Sequence, residues 1–345
     1  MLPANITPAN GMLAALYLRQ AELPAALDLI GERGLGAVGF GGEPPADLPC
    51  MLPRLEIAMP QRLPAEPLVE IWLGVSRATW GRTGAIHWAC DGHHLFGSLQ
   101  TDAEADIRGA TARAYDALFR LLEQQGYPHL VRVWNYFPGI NREESGLERY
   151  RQFNIGRQEA FLRANRPLSG ALPAACALGT HAGPLVVYFV AARIPLIPVE
   201  NPRQLSAYRY PPAYGPRSPS FSRATVLRSA DQTAVFVSGT ASILGHMSVH
   251  PGDAAAQTRE TLMNLAALVE TLNGGASGGF TWEDFRYKVY VRPGCPLEPI
   301  KYELAAMLPA AEAILIVEAD ICRRELLVEI EAFGSRSLGN PGEPM

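Results

Sequence analysis

Two carboxylates near the C-terminus have the spacing for acid–base chemistry. In Leu327-Val328-Glu329-Ile330-Glu331-Ala332 apolar and acidic residues alternate, so on a strand Glu329 and Glu331 share one face and Val328, Ile330 and Ala332 the other. Apolar walls around Glu329 would raise its pKa and let it hold a proton near neutral pH for donation. On an exposed edge strand both would be ordinary surface charges. Cys322 lies seven residues before Glu329 and is followed by Arg323-Arg324. Two neighbouring cations would favour its thiolate, whereas burial would leave an inert thiol.

Other constellations are weaker. His93 and His94 are adjacent, so on a strand they face opposite sides. His246 and His250 are four apart but lie around Pro251, where helical ligand spacing is not expected; His250 is a candidate for a pocket rim. Cys50, Cys90, Cys176, Cys295 and Cys322 contain no CxxC pair, which argues for reduced thiols and against a disulfide framework or zinc site. Gly34-Leu35-Gly36-Ala37-Val38-Gly39 lacks the third glycine and the following helix of a dinucleotide loop. No metal, nucleotide, flavin or other cofactor is expected.

The elements that must position these residues repeat along the chain. Ser76-Arg77-Ala78-Thr79 recurs as Ser222-Arg223-Ala224-Thr225, each followed by a turn-rich stretch and an apolar strand, His94–Leu99 or Val235–Thr240. After the first strand, apolar residues at threes and fours predict a helix from about 103 to 125, stopped at Gly126-Tyr127-Pro128. A strand over 130–136, a helix over about 147–164 and strands near 173–179 and 184–192 follow. In the second half Asp253 is the expected N-cap of a helix to about 272, followed by a strand over 287–291, a helix over 297–307 and a closing hairpin of 314–321 with 326–333. Both halves read ββαβαββ, which predicts an α+β chain of two tandem units, each a mixed sheet with two helices on one face. Strands apolar on both sides need a second cover, which two sheets meeting at a pseudo-symmetric interface would supply. The expected division is an N-terminal extension plus first unit over 1–200 and a second unit over 201–345. Residues 1–60 fit neither copy, and Pro195 to Pro219 reads as the linker.

At 345 residues and 48% hydrophobic content the chain can bury full cores, which excludes a disordered protein. Thirty basic against thirty-four acidic residues give a net charge of −4 with no basic block, so nucleic acid is not an expected partner. The first residues lack a signal peptide's positive start and long apolar run. The most apolar segment, 185–197, is interrupted by Arg193 and is too short to span a bilayer. A cytoplasmic protein without membrane association is expected.

The second unit resembles the YjgF/Rid superfamily in Gly215-Pro216, Val235-Phe236-Val237-Ser238-Gly239, Gln257-Thr258-Arg259, Asn264-Leu265 and Leu327 to Ala332, which implies a chorismate-mutase-like fold. The Arg that the superfamily's deaminases carry about fourteen residues before Val328 is absent, since that neighbourhood reads Ala313-Ile314. From about 70 to 335 the chain resembles a narrower group on that fold, the chorismatases, in Val131 to Asn141, Glu148 to Asn154, Gly156-Arg157, Tyr214 to Ala224, Cys322 and Glu329.

That resemblance implies chorismate as substrate and cleavage of its enolpyruvyl ether by protonation of the enol methylene. Glu329 becomes the acid and Glu331 a structural carboxylate. Arg157 and Arg217 are the favoured clamps for the two substrate carboxylates, with Arg151 and Arg223 in reserve, because a guanidinium donates two parallel hydrogen bonds to a carboxylate. Tyr210 and Tyr214 would bond a carboxylate or stack near the ring, and Gly239 and Ala241 would let a ligand approach the backbone. A Cys at position 322 implies the subtype forming 3-hydroxybenzoate, with some 4-hydroxybenzoate as a further product. The hydrolytic subtype, yielding a dihydroxycyclohexadiene carboxylate, and a non-catalytic binding module are the alternatives. Two fused units replacing an interface that single-unit relatives make by trimerising would leave a monomer.

Overall fold

A computed structural model describes residues 11–275, 279–308 and 314–338; Met1–Asn10, which opens the stretch read for a signal peptide, lies outside them. The chain starts with β1 (Ala14–Arg19), α1 (Leu23–Arg33), β2 (Gly34–Phe40), β3 (Arg54–Ile57), β4 (Gln61–Leu63) and β5 (Leu68–Leu73). The first unit follows as β6 (Thr79–Thr83), β7 (Ile86–Cys90), β8 (His94–Thr101), α2 (Ile107–Gln125), β9 (His129–Pro138), a rim hairpin β10 (Glu143–Glu144) and β11 (Leu147–Glu148), α3 (Arg149–Arg163), β12 (Ala174–Thr180) and β13 (Leu185–Ala192). The second contains β14 (Ile197–Val199), β15 (Ala224–Arg228), β16 (Gln232–Ala241), a rim hairpin β17 (Ile243–Leu244) and β18 (Met247–Ser248), α4 (Ala254–Gly274), β19 (Phe285–Val291), α5 (Leu297–Met307), β20 (Ile314–Glu318) and β21 (Val328–Ser337).

Both predicted ββαβαββ units are present. The first helix of each unit starts where a carboxylate caps it: Asp106 accepts from the Gly109 amide and Asp253 from the Ala256 amide, each satisfying an otherwise orphaned donor. The first of these caps moves the helix start from the expected 103 to 107. Strand β13 is buried at every position, because helices cover one face of its sheet and other sheets the opposite face.

The sheet orders are β12-β9-β13-β8-β7-β6 in the first unit and β20-β19-β21-β16-β15-β14 in the second, with β4 added beside β20. Strands β20 and β21 are therefore not the hairpin expected from their proximity in sequence: β19 lies between them, parallel to β20 and antiparallel to β21. The tetrapeptide repeat does not mark equivalent places either. Its first copy leads into β6, two strands from β8, and its second into β15, which pairs directly with β16.

The N-terminal sheet runs β1-β5-β2-β3, with β2 and β3 parallel and β5 antiparallel to β1 and β2. That is the order of β8-β13-β9-β12 and of β16-β21-β19-β20. The segment that fits neither copy in sequence is thus a third, shortened copy, lacking the leading strands and the second helix. Helices α1, α2 with α3, and α4 with α5 pack outside their own sheets. The three inner faces close on one shared core. At its centre Trp72 of the N-terminal sheet lies 5.4 Å from Trp134 of the first unit and 6.0 and 4.9 Å from Phe236 and Phe333 of the second.

Candidate active site

Strand β12, at the edge of the first sheet, runs beside β16 of the second, where the Ala175 amide donates to Ser238 Oγ at 2.9 Å. A cavity of about 470 Å³ opens at this junction, lined by residues of α3, the 207–223 stretch, β16, the loop before β21 and β21 itself. Eight of the ten predicted site residues line it: Glu329, Cys322, Arg151, Arg223, Tyr210, Tyr214, Gly239 and Ala241. The Pro-rich stretch is therefore a cavity wall as well as a connection.

Glu329 projects from β21 with only 4% of its surface exposed. The alternation holds, since Val328, Ile330 and Ala332 pack on the helix side. Desolvation, reinforced by the charge of Glu331, pushes the Glu329 carboxyl up to about 8, against opposing pulls from Arg132 and Arg223. Glu331 is buried as well, yet its pKa is lowered: Lys288 and Arg132 offset its burial, and Trp134 Nε1 donates to it at 2.8 Å. Two glutamates on one face thus hold opposite protonation states. Neither is a surface charge.

The acid needs a glycine opposite. Pairing between β16 and β21 shifts register between Val237 and Thr240, a bulge that turns Gly239 toward Glu329. A Cβ at this position would lie 1.9 Å from Glu329 Oε1.

Two guanidiniums flank Tyr210. Arg223 Nη2 donates to the Leu205 carbonyl at 2.7 Å and to the Tyr210 hydroxyl at 2.8 Å, and its Nε is buried with no protein partner among the described residues. Arg323 lies 4.1 Å over the Tyr214 ring and 5.1 Å over Tyr210. Its Nη1 donates to the His246 carbonyl and Ser248 Oγ at 2.9 and 3.1 Å, while Nη2 is buried and unpartnered among the described residues. Both arginines line the cavity, and two guanidiniums on one wall suit an anionic ligand. In sequence Arg323 is marked only by its place beside Cys322, where its charge bears on the thiol.

Two predicted clamps are not on the wall. Arg157 sits two turns along α3 from the lining residue Tyr150, about 10 Å further. There it is 2% exposed, donates to Asn154 and lies over Phe153. Arg217 is exposed, so the turn carrying it directs it outward. His250 is outside the lining and lies 3.6 Å from Glu260; His246 bonds the Tyr214 hydroxyl instead.

Cys322 corrects the thiolate expectation. Burial, then the neighbouring Glu329 carboxyl, pushes its thiol up to about 12 despite Arg323. In brief alkylation with iodoacetamide at pH 8 followed by peptide mass mapping, exposed Cys50 should be modified while Cys322 stays free. Equal labelling would show that Cys322 is a reactive thiolate.

A protonated carboxyl facing an arginine- and tyrosine-lined cavity defines a small-molecule enzyme equipped for acid catalysis on an anion. The family profile described as "Chorismatase FkbO/Hyg5-like, N-terminal" matches residues 70–191. A chorismatase of Streptomyces rapamycinicus is 39% identical over 274 residues, covering 77% of this chain and 82% of the relative. A 3-hydroxybenzoate synthase of Streptomyces hygroscopicus is 37% identical over 315 residues, covering 88% and 92% respectively. A chorismatase crystal structure superposes with a TM-score of 0.85 at 34% identity, covering 95% of this chain and all of that one. The chain belongs to the chorismatase family.

Proposed function

We propose that this enzyme converts chorismate to 3-hydroxybenzoate and pyruvate, with Glu329 as the general acid. The observation that carries the reading is the buried Glu329 carboxyl, protonated near neutral pH in a cavity that Arg223 and Arg323 also line. Arg223 and Arg323, backed by Tyr210, are the carboxylate clamps in this reading, and Arg151 serves the outer end of the cavity.

Glu329 donates its proton to the enol methylene carbon, and the enol ether becomes an oxocarbenium ion. The neighbouring ring hydroxyl oxygen attacks the ring carbon bearing that ether. The carbon–oxygen bond breaks with its electron pair going to the departing pyruvate, and the hydroxyl proton returns to the Glu329 carboxylate. The resulting arene oxide isomerises to the phenol. No water is consumed, and the atoms of chorismate equal those of the two products. A neutral Cys322 thiol against the ring supports this route over hydrolysis, because it fills space without activating water.

Incubation with chorismate in heavy-oxygen water, with mass spectrometry of the products, tests the proposal. Equal amounts of unlabelled 3-hydroxybenzoate and pyruvate that has exchanged only its keto oxygen are expected. A dihydroxycyclohexadiene carboxylate formed in place of the phenol would overturn the product assignment. Unchanged chorismate would overturn the activity.

A further inference from the structure

The core contains a buried charge cluster that does not touch the cavity. Lys288, one of the two lysines in the chain, places Nζ 2.6 Å from Glu70 Oε2 of the N-terminal sheet and 3.1 Å from Glu331 Oε1. Arg132 of β9 meets Glu331 Oε2 at 2.5 Å. All four residues are at most 5% exposed. Two cations and two carboxylates balance, and each carboxylate takes a further donor: Trp72 Nε1 to Glu70 at 2.7 Å and Trp134 Nε1 to Glu331 at 2.8 Å. Glu329, two residues from Glu331 on the same face, is a third buried carboxyl; it feels the charge of Arg132, but both cations of the cluster make their ion pairs with Glu70 and Glu331.

We propose that Glu331 is a positioning residue that keeps the proton on Glu329 by engaging both buried cations. The inference rests on the reading of Glu329 as the acid. Charging Glu329 would add a net negative charge beside an already balanced buried cluster, so the neutral form is retained. The other groups facing the pair do not alter this balance. Cys176 of β12 and Tyr290 of β19 are buried and neutral, with pKa values raised well above their ordinary ones. The buried Tyr136 and Tyr188 and the half-buried Tyr17 around Glu331 are neutral too, their pKa values raised well above the ordinary one, and Cys322 is likewise a neutral thiol. Arg223 faces Glu329 across the cavity and is the cation that a substrate carboxylate would engage. Arg286 is half-buried where the cluster approaches the surface.

The sign of the charge left behind is therefore expected to control Glu329. Glu331→Gln leaves an uncompensated positive charge and should lower the Glu329 titration midpoint by about 1–3 pH units. Lys288→Met leaves an extra negative charge and should raise it. The double variant restores neutrality and should return the midpoint to its wild-type position. The readout is the carboxylic-acid carbonyl band in the infrared, assigned by its loss in Glu329→Gln and followed with pH, which requires no substrate. It thus stands apart from whether chorismate is turned over. A purely structural role would not move the midpoint in opposite directions. If Glu331→Gln does not fold, Lys288→Met and the double variant still decide the matter. A midpoint that stays fixed in every folded variant overturns the proposal.

Discussion

Turnover of chorismate by a Glu329→Gln variant is expected to fall about 10²–10⁴-fold, the range for loss of a general acid, while chorismate binding persists. Glutamine preserves the size and one carbonyl oxygen of the side chain but has no acidic proton. In the wild-type enzyme kcat/KM should be flat at lower pH and fall tenfold per pH unit above about 8, where the free enzyme loses the proton on Glu329. Folding acts as an internal control. A carboxyl whose pKa is raised on folding contributes stability that is complete below its unfolded value of 4.5 and is lost as pH rises toward 8. The glutamine variant lacks that loss and should melt no lower than wild type at alkaline pH. Near-wild-type turnover in a folded variant would remove Glu329 from its assigned role.

Gly239→Ala is the second large effect expected. The glycine backbone is not in the left-handed region, so alanine is tolerated conformationally. The obstacle is Glu329 Oε1, 1.9 Å from the new Cβ, with Cys176 Cβ at 3.2 Å. The colliding atom is the tip of a flexible side chain, so the chain should fold with the carboxyl displaced by an ångström or more. A misplacement of that size costs roughly 10²-fold in rate. The measurement is kcat with thermal melting on the same sample; an unchanged kcat would mean that the acid has room the structure does not give it. In a Glu329→Gln background the same substitution should add little, because there is no proton left to misdirect.

Much of this was readable in the amino-acid order. The alternation around Glu329 gave its face and its partner, because a period of two survives any packing. The capping aspartates and apolar periodicities gave the two full units. Strand order was not readable: β20 and β21 are close in sequence, yet β19 lies between them, and pairing is decided by contacts far apart in the chain. The shortened N-terminal copy escaped notice because it lacks the second helix and leading strands that made the others recognisable. Arg157 and Arg217 were favoured by the family likeness, which carries residue types but not the direction of a side chain. Arg323 stands beside Cys322 in sequence, but the rings it packs on, Tyr210 and Tyr214, are more than a hundred residues away in the chain. The desolvation of Cys322, which outweighs the neighbouring Arg323, depends on walls supplied by both units.

Three copies of one topology share the core, yet the related strands carry two glutamates and a tyrosine there, Glu70, Glu331 and Tyr188. In an assembly of identical subunits every substitution occurs at each symmetry-related place, so a carboxylate introduced near the axis arrives three at a time and repels itself. Joining the copies in a single polypeptide removes that constraint. A lysine can enter from one copy, its two acidic neighbours from the other two strands around it, and the remaining boundaries can close with side chains of their own. Specialising one junction for chemistry while the others become scaffold is open to a covalently linked trio and closed to a homotrimer.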